Sequence, residues 1–147
     1  MQCSEALAAD LFRLFLRMQR LMNRRMADQG ASLARAKLLL FLQKRGPARA
    51  ADIADFFDQA PRTVTEAIDG LERDGLVVRT PDAHDRRVKQ VSITDEGRRV
   101  TSETEPLRQE MIGDVFGALT AEERAQLGAM FAKMQAALDR QEADLRP

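Results

Sequence analysis

One stretch of the sequence, residues 61–75, combines side chains that could contact a nucleic acid. Its apolar residues recur every three or four positions, which is the pattern of a helix with one buried face and one polar face. Guanidinium, hydroxyl and carboxylate groups at the start of such a helix can hydrogen-bond to base edges and phosphates in the major groove. The side chains on the polar face are Arg62, Thr63, Thr65, Glu66 and Asp69.

A second stretch, residues 79–89, offers a different contact with the same kind of partner. It carries four basic residues against two acidic ones, a net charge of +2, and its middle is rich in turn-forming residues. Arg86 and Arg87 are adjacent there, and an arginine at the tip of a loop fits a narrow, electronegative minor groove. Arg49, before a short helix, is a further candidate for a phosphate contact.

The sequence lacks the residues that catalysis or metal binding would need. His84 is the only histidine and Cys3 the only cysteine, so no nucleophile has a histidine as its base and no disulfide can form within the chain. A metal site from these two residues would have to join positions far apart in the chain. We therefore expect no enzyme, no metal site and no cofactor.

The elements that position these groups follow from periodicity and from residues that start or stop helices. The pattern predicts a long first helix from Ser4 to about Gly30, then a helix that Ser32 caps and Gly46-Pro47 ends. Two short helices separated by a tight turn follow, the outline of a helix-turn-helix. Two β-branched runs then predict a hairpin, and two further helices complete the chain. The second of these helices starts at the capping box of Thr120 and Glu123.

This order predicts a mainly α fold with a small β-hairpin wing. We expect residues 31–99 to form a winged helix-turn-helix that binds DNA, within a single structural domain. Residues 1–30 and 100–147 supply flanking helices with more apolar surface than one small core uses. Dimerisation through these helices accounts for the excess, and a symmetric dimer would hold two recognition helices at a fixed separation.

The distribution of charge along the chain says more about the binding partner than the net charge does. The chain has 23 basic and 23 acidic residues, which argues against a general polybasic binder. The acidic excess lies in residues 100–147, with nine acidic and five basic residues. Residues 61–75 carry four acidic and two basic residues, a net −2 that would repel phosphates. This acidic helix favours an alternative function, a winged-helix adaptor dimer that binds protein without sequence-specific DNA recognition.

Nothing in the sequence predicts a membrane protein. The longest run of large apolar residues, 38–42, is far too short to span a bilayer, and no basic stretch precedes an apolar one at the N-terminus. We expect a cytoplasmic protein with no membrane partner.

Residues 49–99 resemble the MarR family of bacterial transcriptional regulators. The matching stretches are Ile53-Ala54-Asp55, Thr63-Val64-Thr65, Leu71-Glu72-Arg73-Asp74-Gly75-Leu76-Val77, Asp85-Arg86-Arg87 and Ser92-Ile93-Thr94-Asp95-Glu96-Gly97. The resemblance implies a homodimer that binds palindromic operator DNA and is often released by a small phenolic ligand or by oxidation. It also implies that one wing arginine enters the minor groove while Asp85 pairs with the other. We assign Arg86 to the groove and Arg87 to Asp85, although the two arginines could exchange roles.

An effector pocket and a redox switch are two further possibilities. Apolar residues of the long helices could line a pocket for a small apolar or phenolic effector, although an ordinary core is the simpler interpretation of the same pattern. These residues are Phe12, Phe15, Met18, Met22, Phe41, Met111 and Phe116. Cys3 resembles the sensing cysteine of one branch of the family, but the chain has no tyrosine to support a reactive thiol. An unactivated thiol is the simpler interpretation.

Overall fold

Six helices and three strands make up the described part of the chain. The computed structural model describes residues 3–29 and 31–145. The elements are, in order, α1 (Ser4–Asp28), α2 (Leu33–Arg45), β1 (Ala48–Arg49), α3 (Ala50–Phe57), α4 (Pro61–Arg73), β2 (Val77–Pro81), β3 (Lys89–Ile93), α5 (Asp95–Gly117) and α6 (Ala121–Asp144). The predicted fold class, a winged helix-turn-helix between flanking helices, is confirmed.

Several helix boundaries arise from residues that commonly start or stop helices, whereas the predicted end of α1 at Gly30 lies outside the described residues. The Ser32 side chain accepts a hydrogen bond from the Arg35 backbone N–H, and Gly46 ends α2 with a φ of 81°. Pro61 occupies the first turn of α4, where the missing N–H costs nothing. Thr120 and Glu123 form the expected reciprocal capping box at the start of α6.

The wing belongs to a three-stranded antiparallel sheet in the order β1-β3-β2. The hairpin runs from the pair Val77–Ile93 at its base to the pair Pro81–Lys89 near its tip. The sequence predicts these two strands and misses β1, whose two residues pair with Val91 and Gln90. A two-residue strand is too short to show alternation, and Gly46-Pro47 just before it is typical of a loop.

One apolar core holds the helix-turn-helix to the base of the wing. The inward faces of α2, α3 and α4 meet the inner residues of β2 and β3 there, so α4 and the hairpin pack against the same core. Its most deeply buried members are Leu39, Leu42, Ile53, Val64, Ile68, Leu71, Val77 and Val91.

The chain divides into two compact units, residues 1–108 and residues 109–147. Each unit exposes large apolar side chains along a helix. In the first unit these lie along α1 and include Leu7, Leu11, Phe12, Leu14 and Phe15. In the second unit α6 has no buried residue, and Met130, Met134 and Leu138 are each more than half exposed at steps of four residues.

Candidate nucleic-acid interface

The outer face of α4 presents the polar residues that the sequence placed there. Val64, Ile68 and Leu71 are buried in the core, so the opposite face points into solvent. Arg62, Thr63, Thr65, Glu66 and Asp69 are all exposed. Arg62 Nε lies 3.2 Å from Glu66 Oε1, an exposed pair one helical turn apart. Such a pair contributes little, so both side chains can turn to other partners at small cost.

Two arginines from outside α4 offset the acidity of residues 61–75. Arg79 of β2 donates to Asp69 Oδ1 at 2.6 Å and to Glu72 Oε1 at 2.9 Å. Arg35 of α2 donates to Asp74 Oδ2 at 2.5 Å. With Arg35 and Arg79 counted, the net charge of −2 over residues 61–75 becomes zero. The feature that favoured an adaptor protein is therefore compensated within the fold.

The two adjacent arginines at the tip of the wing differ in their contacts. Asp85 Oδ1 accepts a hydrogen bond from the Arg87 backbone N–H at 3.0 Å and another from Arg87 Nε at 3.3 Å. Arg86 is exposed, and no ion pair to it is found within residues 3–29 and 31–145. The geometry thus leaves Arg86 free to contact a partner while Asp85 engages Arg87.

Asp82, which the sequence analysis did not single out, is the most connected side chain of the wing. Its side chain is only 3% exposed and accepts four hydrogen bonds. The backbone N–H of His84 comes first among the groups that lower the pKa of Asp82 to about 2, followed by the Gln90 amide and the Arg49 guanidinium. An aspartate at the start of a turn is a recognisable sequence signal, because its side chain often accepts a hydrogen bond from the backbone N–H two residues later.

Arg49, the candidate phosphate contact, is one of these donors. Arg49 Nη2 lies 3.2 Å from Asp82 Oδ2, and the side chain is otherwise about half exposed. A phosphate contact by Arg49 stays a prediction, and the ion pair gives the residue a second role inside the protein.

The seven residues expected around an effector pocket differ in their surroundings. Phe12 and Phe15 are exposed on α1, whereas Met22, Phe41 and Met111 are buried. Phe41 packs against Phe56 and Phe57 at the helix-turn-helix. A cavity of about 340 Å³ lies elsewhere in the first unit. Its described lining consists of Gln29, Ala31, Ser32, Arg35, Ala36, Leu39, Leu76, Val100, Glu103 and Thr104, and none of the seven is among them.

Other chemistry is not evident in the described residues. No group of three or more His, Cys, Asp or Glu side chains within 3–29 and 31–145 is placed to hold a metal ion. Cys3 is a free, exposed thiol just before α1. No described helix combines the length and the apolar character needed to cross a bilayer.

Comparisons with known proteins identify the family. The model of the MarR family matches residues 32–89. The HTH-type transcriptional repressor MdtR of Bacillus subtilis (strain 168) is 33% identical over 129 residues, which cover 88% of this chain and 83% of MdtR.

Two solved structures share the fold. A cysteine-to-serine mutant of MarR from E. coli, complexed with operator DNA, has a TM-score of 0.77 at 22% identity, with coverage of 87% of this chain and 92% of that one. Bordetella bronchiseptica BpsR, whose DNA binding is regulated by 6-hydroxynicotinic acid, also has a TM-score of 0.77, at 24% identity and with coverage of 92% and 96%. With a winged helix-turn-helix, an exposed recognition face and a relative at this level of identity, the chain belongs to the MarR family of DNA-binding transcriptional regulators and is not an enzyme.

Proposed function

We propose that this protein is a homodimeric repressor that binds a palindromic operator and leaves it when a small molecule binds. Two features together carry the proposal: the exposed polar face of α4, and an exposed arginine at the wing tip, Arg86, that forms no ion pair with any described residue. A face on a helix reads base edges, and an arginine on a wing reads the adjacent minor groove. MdtR, the relative at 33% identity, is named a repressor, and this supports the direction of regulation.

The individual contacts follow from residue type and exposure. Arg62 would donate to guanine, Glu66 would accept from cytosine N4, and Thr63 and Thr65 would contact phosphate or a thymine methyl. Asp69 is held by Arg79, so a contact from Asp69 to a base would require that ion pair to open. Arg86 would enter the minor groove, with Arg87 held by Asp85.

The homodimer rests on the flanking helices. We propose residues 1–30 and 100–147 as the dimerisation region and residues 31–99 as the DNA-binding region. Phe12 is 63% exposed on α1, and Met130 and Leu138 are each 57% exposed on α6. Exposed rows of large apolar side chains along a helix, present in each unit, indicate a protein contact. A second copy of the chain is the partner that a palindromic operator requires.

DNA binding is tested by titrating the protein against the region upstream of its own coding sequence at several salt concentrations. We expect the logarithm of the association constant to fall steeply with the logarithm of salt, with a slope of roughly −0.9 for each phosphate neutralised. Arg86→Ala is expected to weaken binding about tenfold for all sequences alike. Arg98→Ala, at an exposed arginine of α5 to which no DNA contact is assigned, is the matched control and should change little. Absence of binding by the native protein at low salt would contradict the function itself.

Glu66→Ala provides the contrast within the same titration. It removes a base contact and an acidic side chain, so affinity for unrelated DNA should rise slightly while the preferred base at one position changes. An unchanged site preference, measured by selection from a randomised operator, would show that Glu66 reads no base.

For the effector we propose the cavity of about 340 Å³, a volume at the lower end of the range for small-molecule sites. Because DNA binding by BpsR is regulated by 6-hydroxynicotinic acid, a small aromatic acid is the first probe. We expect it to raise the Kd of the operator complex. Ala36→Leu, which places a larger side chain in the cavity lining, should remove that shift, and Ala34→Leu on the exposed side of α2 should retain it. A shift that survives Ala36→Leu unchanged would place the effector elsewhere.

A further inference from the structure

Asp82 joins two parts of the interface that lie far apart in the sequence. Its carboxylate contacts the turn that carries Arg86 and also the guanidinium of Arg49, the residue immediately before α3. We propose that Asp82 is a positioning residue for DNA binding, which fixes the wing tip relative to the helix-turn-helix without touching the DNA. The inference rests on the proposed function, because it concerns how the wing reaches an operator.

One carboxylate oxygen shapes the turn. Asp82 Oδ1 accepts from the backbone N–H of His84 at 2.8 Å and from that of Asp85 at 3.4 Å. The Asp82 backbone N–H donates to the Val88 carbonyl at 2.8 Å, which closes the loop behind them. The backbone that leads into Arg86 is therefore set by Asp82.

The other oxygen connects this turn to the rest of the interface. Asp82 Oδ2 accepts from Gln90 Nε2 at 3.0 Å and from Arg49 Nη2 at 3.2 Å. Arg49 and Gln90 are directly paired across β1 and β3, so both side chains approach Asp82 from one place. Arg49 is followed by α3, whose Ile53 and Ala54 lie in the core. The wing tip thus gains an anchor to the core through a side chain.

The wing beyond Pro81 and Lys89 has no apolar core of its own. Val88 is only partly buried there, and Asp82 is the only buried residue of the loop 82–88. A buried carboxylate is costly unless its lone pairs are satisfied, and here four donors satisfy them. Such a group selects one arrangement of the chain more than it adds stability, since most alternative arrangements would leave the charge unpaired.

The Asp82→Asn variant distinguishes the roles of the two carboxylate oxygens. Asparagine keeps an acceptor at Oδ1 for the two backbone N–H groups but places an amide donor opposite the Arg49 guanidinium. The turn should persist and the link to Arg49 should be lost. We expect operator binding about tenfold weaker, with the loss confined to contacts made by the wing.

A double-mutant cycle distinguishes positioning from general stabilisation. We would measure operator binding for the native protein, Asp82→Asn, Arg86→Ala and the double variant, each checked for an unchanged far-UV spectrum. If Asp82 acts through the wing, Asp82→Asn should cost less than about threefold once Arg86 is absent, because the contact it positions is already gone. Fully multiplicative losses would overturn the proposal. Asp95→Asn, at an exposed aspartate paired with Arg98, is the matched control and should leave affinity unchanged.

Two further measurements test the proposal if Asp82→Asn folds poorly or if no operator is found. If Asp82→Asn folds poorly, Arg49→Ala breaks the same link while leaving Asp82 its other three donors. Because Arg49 is itself a candidate phosphate contact, the effect of this variant is measured on the wing and not on operator binding. In the protein without DNA, Arg49→Ala should speed amide hydrogen exchange in residues 84–88 at least several-fold while residues of α2 and α4 keep their protection. Unchanged exchange in the wing would overturn the proposal even if no operator is found, whereas native protein that binds no DNA overturns the proposed function.

Discussion

Replacing Gly97 by alanine is expected to lower the free energy of unfolding by about 3 kcal/mol, which is a large share of the stability of a small domain. Gly97 is buried in the first turn of α5. A Cβ atom there would overlap the Leu76 carbonyl oxygen and would come within 2.7 Å of Ile93 Cγ1. Neither a backbone carbonyl nor a core isoleucine can withdraw without moving the base of the wing.

The close approach is held by Thr94. Its hydroxyl donates to the Gly75 carbonyl at 2.7 Å and accepts from the Gly97 backbone N–H at 3.1 Å, while the Thr94 N–H donates to Leu76 O. These bonds draw the start of α5 onto the turn between α4 and β2. The spacing of Thr94 and Gly97 therefore follows from packing: the threonine caps the helix and the glycine leaves room for the carbonyl.

Urea denaturation followed by circular dichroism would measure the effect. Gly113→Ala is the matched control, because Gly113 is an exposed glycine of the same helix with no atom within 4 Å of an added Cβ. Since alanine is the better helix former, the control is expected to be stabilised by roughly 0.5–1 kcal/mol. Equal stability of Gly97→Ala and the native protein would show that the helix start can move away from Leu76.

Met134→Glu in α6 is expected to convert a dimer into monomers and to weaken operator binding at least about 100-fold. Met134 lies midway along the apolar row of Met130, Met134 and Leu138, and a carboxylate there would have to lose its water when two copies meet. A monomer contacts only one half-site, so it loses the gain in effective concentration that a second, linked DNA-binding region provides.

Sedimentation equilibrium would give the oligomeric state, and fluorescence anisotropy would give operator affinity. Gln135→Glu introduces the same charge at the next residue, which is exposed and polar in the native chain. It should leave both measurements unchanged. A native protein that sediments as a monomer would contradict the dimer, whereas a Met134→Glu variant that remains dimeric would place the interface away from this row.

The sequence predicted those parts of the candidate interface whose exposure depends on local periodicity. The exposed face of α4 follows from the buried positions of Val64, Ile68 and Leu71, and the hairpin follows from its β-branched runs. A repeating pattern reports which side of an element is buried, and nearby residues on the other side are then known to be exposed.

What the sequence did not predict are contacts between residues distant in the chain. Arg35 lies 39 positions from Asp74, and Arg49 lies 33 positions from Asp82. Side-chain type alone cannot select these pairs from the many arginines and carboxylates available, because the selection depends on how the elements pack. The cavity in the first unit was missed for the same reason, since its lining comes from the end of α1 and from α2, α5 and the turn before β2.

The double ion pair of Arg79 fixes one end of α4 and leaves the residues at its other end free to change in evolution. Arg79 fastens the later turns of α4 to β2 through Asp69 and Glu72, whereas the first turns carry Arg62 and Glu66 in a weak, exposed pair. Substitutions in those first turns leave the attachment intact. Under the proposed mode of DNA binding, descendants of one gene could therefore acquire new operators through changes at a few outward positions of α4, while the helix itself stays fixed to β2.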